Sequence, residues 1–149
     1  MSKGVGWSVR SLLIMVSDLD RSVHFYTDVC GLQEVLRRSD AALLAFEMTA
    51  LATLALRQAE GQGFRLGQES LGLRACSFSV GSSTEMDRVE GRLKALSAFQ
   101  DRGQFGEHRR DVIRGHDPDR LPLQFLNFEP PLDAADYEVM MAQIYGVDV

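Results

Sequence analysis

This sequence predicts an α+β protein: two tandem βαβββ modules forming a curved mixed sheet around a cleft, plus a C-terminal helix. Three observations predict it. A strongly apolar, strand-like run is followed at once by a capped amphipathic helix; the same order returns about 64 residues later; and a glycine-bearing stretch of little periodicity separates the two. Each half alone would expose one face of its sheet. Two halves together enclose a cleft, with the helices on the outer faces.

The first strand spans residues 9–16 and carries Leu12, Leu13, Ile14, Met15 and Val16. Ser17-Asp18 supplies capping oxygens for a helix over residues 19–29, where Val23, Tyr26 and Val29 recur at helical spacing and Phe25 widens the stripe. Gly31 stops that helix. Strands are expected at 33–38, 41–48 and 52–57, with turns at Ser39-Asp40 and Thr49-Ala50. Residues 58–72 hold Gly61, Gly63, Gly67 and Gly72 and read as a linker. The second module, 73–128, restarts the pattern with a strand at 73–80. Ser82 and Glu85 then form a capping box ahead of the stripe Met86, Val89, Leu93 and Leu96. Strands follow at 104–107, 109–115 and 121–128, with a turn at Asp117-Pro118-Asp119. Asp133 caps a last helix within 133–145 that ends before Gly146.

A chain of 149 residues fits one domain, or two small fused repeats. With 45% hydrophobic and 25% charged residues it is an ordinary globular composition. The net charge of −5 gives no reason to expect nucleic acid or an anionic membrane as partner. Apolar runs are far too short for a membrane span, and Met1-Ser2-Lys3-Gly4 lacks the core of a signal peptide, so a cytoplasmic protein is expected. Cys30 and Cys76 then read as reduced thiols.

Two segments carry a family resemblance. One is Val16-Ser17-Asp18-Leu19-Asp20-Arg21-Ser22-Val23-His24-Phe25-Tyr26, ending in Gly31-Leu32. The other is Gly115-His116-Asp117-Pro118-Asp119 leading into Leu121-Pro122-Leu123-Gln124-Phe125. With the repeated element order they resemble the vicinal oxygen chelate superfamily of glyoxalases, extradiol dioxygenases and bleomycin-resistance proteins. The resemblance covers about residues 9–128 and implies the fold. It leaves the activity open, because the fold hosts isomerases, dioxygenases, thiol transferases and plain binding proteins. It also implies a homodimer with two equivalent clefts.

In the metalloenzymes of that superfamily, His and Glu at four strand positions hold the metal. Carried over residue by residue, those positions are Ser11, Ala55, Ala75 and Gln124 here. A hydroxyl, two methyls and an amide supply neither imidazole nor carboxylate. The resemblance therefore points to the metal-free, bleomycin-resistance-like branch: no metal, no cofactor and no catalytic residue.

Strand alternation puts Leu13, Met15, Thr53, Arg57, Ser77, Ser79, Pro122 and Leu126 on the same faces as the four positions. That surface, mostly apolar with a few hydroxyls, one amide and one guanidinium, suits a hydrophobic or aromatic small molecule. It also reads as residues that merely fill a closed core. Among the aromatics, Phe64 in the linker is a candidate lid, Phe105 and Trp7 are candidates for stacking, and Phe46 and Phe99 read as core. His24 and His116 read as an exposed helix residue and a turn residue. His108, opening a strand, is a candidate for the cleft mouth as acid, base or stacking partner. Cys76 turns to the face opposite Ala75 and reads as core. Arg109, Arg110 and Arg114 read as a solvated edge, and Arg37-Arg38 as surface. The ligand-binding set is thus Ser11, Leu13, Thr53, Ala55, Arg57, Phe64, Ala75, Ser77, Phe105, His108 and Gln124. The expected function is metal-independent sequestration of such a molecule, for example an antibiotic, as a means of resistance. The alternatives are a metal-free biosynthetic isomerase or lyase, a metal-dependent glyoxalase or dioxygenase with displaced ligands, and an interaction module.

Overall fold

The computed structural model describes residues 11–46, 53–60, 75–127 and 134–139. Trp7, the turn at 49–50, Phe64 with most of the expected linker, and the cap at Asp133 lie outside the described residues. The chain divides into two compact units, Met1–Arg65 and Leu66–Val149.

In the first unit, β1 (Ser11–Val16) leads into α1 (Leu19–Asp28), then β2 (Gln33–Arg37), β3 (Ala41–Ala45) and β4 (Thr53–Gln58). Helix α1 starts where the sequence offers a cap: Asp18 is extended, and its Oδ1 accepts from the Arg21 backbone N–H at 3.0 Å. The helix buries Leu19, Val23, Phe25 and Tyr26. Gly31 follows at φ +68, a left-handed conformation that glycine adopts without a Cβ penalty. The sheet order is β1-β4-β3-β2, with β1 and β4 parallel and the remaining pairs antiparallel. Alternation along the strands sends Ile14, Val16, Leu44, Leu54 and Leu56 into the core, and α1 packs on β2, β3 and β4.

The second unit repeats the plan. Its strands are β5 (Cys76–Ser79), β6 (Phe99–Phe105), β7 (Arg110–His116) and β8 (Pro122–Leu126), with α2 (Ser83–Ala95) after β5 and α3 (Ala134–Val139) at the end. The order β5-β8-β7-β6 matches that of the first sheet strand for strand. Ser82 caps α2 by accepting from Glu85 N–H at 3.2 Å. The core side of α2 carries Met86, Val89 and Leu93, while Leu96, expected in the stripe, is the C-cap residue and is 42% exposed. Here the left-handed residue after the helix is Ser97, at φ 55. Ala98 N–H donates to the Leu93 carbonyl (2.9 Å) and Ser97 N–H to that of Lys94 (3.2 Å), the paired bonds of a Schellman ending. This segment crosses so close to β7 that a Cβ on Gly115 would lie 2.5 Å from the Ala98 carbonyl oxygen. Arg102 ties α2 to the hairpin, donating to Asp111, Asp87 and Glu90. The hydrogen bond to Asp111 and the one to Asp87 push its already high pKa higher, against the opposing effect of burial.

Two strand boundaries differ from expectation. β6 begins at Phe99 rather than 104, and the β6–β7 turn includes His108, so β7 opens at Arg110. The physical reason is pairing. Phe99 to Phe105 lacks apolar alternation, yet each residue but Gln100 finds a register partner on β7. The last helix is described only over Ala134–Val139, within the expected 133–145. Among the described residues no helix is long and apolar enough to cross a membrane.

Candidate functional site

Each sheet has one face under its helix and one face turned away from it. Register fixes which side chains share the second face. In the first unit, Leu13 pairs with Ala55, Ala55 with Leu43, and Leu43 with Leu36, one line across all four strands. Leu13 is 61% exposed and Leu36 47%. The line to one side is Met15, Arg57 and Ala41, and to the other Ser11, Thr53, Ala45 and Gln33. Thr53 Oγ1 donates to Ser11 Oγ at 3.1 Å. Ser11, Leu13, Thr53, Ala55 and Arg57 are therefore brought together on one face, as alternation predicts.

The matching line in the second unit is Ser77, Gln124, Arg114 and Asp101. Ser77 Oγ donates to Gln124 Oε1 at 2.7 Å. Arg114 donates from Nε and Nη2 to the two oxygens of Asp101, both at 2.8 Å, a bidentate pair about 40% exposed on each side. Ala75 is half-buried and lies just before β5. Cys76, on the opposite face, is buried, and burial followed by the nearby Asp117 carboxylate pushes its thiol pKa up. Asp117 makes the expected turn, accepting on Oδ1 from Asp119 and Leu121 N–H.

Several expected roles change. Phe105, a stacking candidate, is 3% exposed and packs with Val112 and Leu126 in a core cluster against Val139 of α3. Leu126, expected beside Gln124 in the cleft, belongs to that same covered patch. His108 is exposed in the hairpin turn rather than opening a strand. The three arginines read as one solvated edge separate. Arg109 sits in the turn at φ 48. Arg110 is buried and donates from Nη2 to Asp136 of α3 at 2.9 Å. Arg114 joins the polar line. Helix α3 thus occupies one end of the face opposite α2, which no local sequence signal announces. Phe64 lies outside the described residues.

The donor set at the four superfamily positions does not fit a divalent metal. Ser11 and Gln124 offer neutral oxygens already engaged by Thr53 and Ser77, and Ala55 and Ala75 offer none. Among the described residues, no three His, Cys, Asp or Glu side chains are grouped to hold one.

Similarity to solved structures is extensive. A glyoxylase/bleomycin resistance protein/dioxygenase domain from Frankia sp. EAN1pec is 30% identical, with TM-score 0.66, covering 82% of this chain and 90% of that one. Lactoylglutathione lyase from Agrobacterium tumefaciens is 18% identical, with TM-score 0.61 over 83% of this chain and 95% of that one. The fosfomycin resistance protein FosX from Listeria monocytogenes is also 18% identical, with TM-score 0.61 over 82% and 92%. These last two speak to the fold alone. No protein-family model matches the chain, and no curated protein does.

Proposed function

Given that this chain belongs to the glyoxalase/bleomycin-resistance/dioxygenase family, the vicinal oxygen chelate superfamily, we propose that it binds an apolar or aromatic small molecule without a metal ion and releases it unchanged. The observation that carries this reading is the residue set at the family's four metal positions: Ser11, Ala55, Ala75 and Gln124. Metal chemistry needs imidazole or carboxylate donors there. Binding needs an apolar surface with a few orienting polar groups, and the two faces, taken separately, supply each kind. The line through Leu13 and Ala55 is apolar and open. The line through Ser77 and Gln124 is polar.

Sequestration of a natural product such as an antibiotic is the biological role this chemistry serves best. It is stoichiometric and relies on affinity; a nanomolar Kd corresponds to about −12 kcal/mol. The purified protein, taken through native mass spectrometry, metal analysis and a screen of natural products, is expected to retain one organic molecule per site, metal-free, and to return it chemically intact. A product of altered mass would favour a metal-free enzyme. A stoichiometric metal together with turnover would sink the proposal.

A further inference from the structure

We propose that the depression beside the Arg114–Asp101 pair is a subsite for a charge-neutral polar group that both accepts and donates hydrogen bonds, such as a carboxamide on the bound molecule. The inference rests on the binding function proposed above and adds residues and ligand chemistry to it.

A depression of about 140 Å³ is bounded by Asp101, Gly103, Phe105, Val112 and Arg114, together with Gln104 and with Arg102, whose own charge is met by Asp111, Asp87 and Glu90. Whole-ligand pockets run to roughly 300–1,000 Å³, so this space takes one functional group rather than a molecule. Gly103 keeps it open: a Cβ there would meet nothing within 4 Å, and no neighbour forbids a larger side chain. Phe105 and Val112 present an apolar floor beside the ion pair.

The pair sets the charge. Arg114 and Asp101 neutralise one another through two 2.8 Å bonds. An entering anion meets the Asp101 carboxylate and an entering cation meets the Arg114 guanidinium, whereas a neutral group meets neither penalty. Donors remain for it. Arg114 spends Nε and Nη2 on Asp101, and its Nη1 has no hydrogen-bond partner among the described residues. Asp101 offers acceptor lone pairs beyond the two it uses. A carboxamide oxygen suits Nη1, and its N–H suits the carboxylate.

Three probes of one shape separate the charges: benzamide, benzoate and benzamidinium, titrated into ¹⁵N-labelled protein. Benzamide is expected to shift the amide signals of Gly103, Phe105 and Arg114 and to bind about tenfold more tightly than either ion. Gly103→Leu fills the depression and should abolish those shifts with the melting temperature retained. Asp101→Asn unmasks Arg114 and should turn the preference to benzoate, which a merely structural pair would not do. Benzamide shifts confined to Leu13, Ala55 and Ser77 would overturn the subsite while leaving the binding function standing. Equal affinity for all three probes, or no benzamide binding at millimolar concentration, would also overturn it. Benzamide bound at Gly103 of a protein that converts its natural ligand would instead overturn sequestration and keep the subsite.

Discussion

At equivalent places in the two modules, one line of side chains crosses the face away from the helix. In the first it reads Leu13, Ala55, Leu43, Leu36; in the second it reads Ser77, Gln124, Arg114, Asp101. Even the irregularity recurs, since each edge strand has a register shift just before the last member of its line, at Glu34/Leu36 and at Phe99/Asp101. The helix-facing sides have not diverged in this way: Leu54 and Leu56 in one module face the core as Leu123 and Phe125 do in the other. Burial against a helix constrains one face to be apolar, while the other is free to acquire the chemistry of a ligand. The second module goes further and covers part of that face with α3, held by the buried Arg110–Asp136 pair.

The largest test of this contrast removes the tether. Asp136→Ala leaves the Arg110 guanidinium buried without its carboxylate and should cost about 3–5 kcal/mol. The double change Arg110→Met with Asp136→Leu should recover most of that, as urea unfolding will report. Next is the parity of the first sheet. Leu44→Ala, on the helix side and fully buried, should lose about 2–5 kcal/mol. Leu13→Ala, on the open side, should change stability by less than about 0.5 kcal/mol. Comparable losses from the two would show that the open face is packed rather than available.

Smaller is the effect at the polar line. Gln124→Ala removes a buried side chain and the acceptor of the Ser77 bond, so it should cost about 1–3 kcal/mol of stability and weaken ligand binding about tenfold, roughly 1.4 kcal/mol; unchanged affinity by calorimetry would remove Gln124 from the site. Smallest is the thiol on the other face of β5. Because the Cys76 pKa in the folded chain is raised from its ordinary 9.0, the folded state holds that proton more tightly than the unfolded one. Its contribution is fully present below pH 9 and is lost as pH climbs through the folded value. Wild type should therefore lose more stability than Cys76→Ala between pH 8 and 10.

The sequence by itself determined what is local. Asp18 and Ser82 mark their helices because a capping oxygen acts on an N–H three residues away. Alternation put Leu13, Thr53 and Ala55 on one face and Cys76 on the opposite side from Ala75. The non-ligand character of Ser11 and Gln124 follows from side-chain chemistry alone. Only the tertiary structure decided what depends on distant partners. β6 is a strand because β7 pairs with it, not because its residues alternate. Phe105 and Leu126 are buried because Val139 of α3 packs against their cluster, although strand alternation alone leaves that face open. Arg110 and Arg114, four residues apart on one strand, part ways because one meets Asp136 and the other Asp101. Periodicity records which face a residue is on, whereas what covers that face is set by chain segments whose arrival no local pattern encodes.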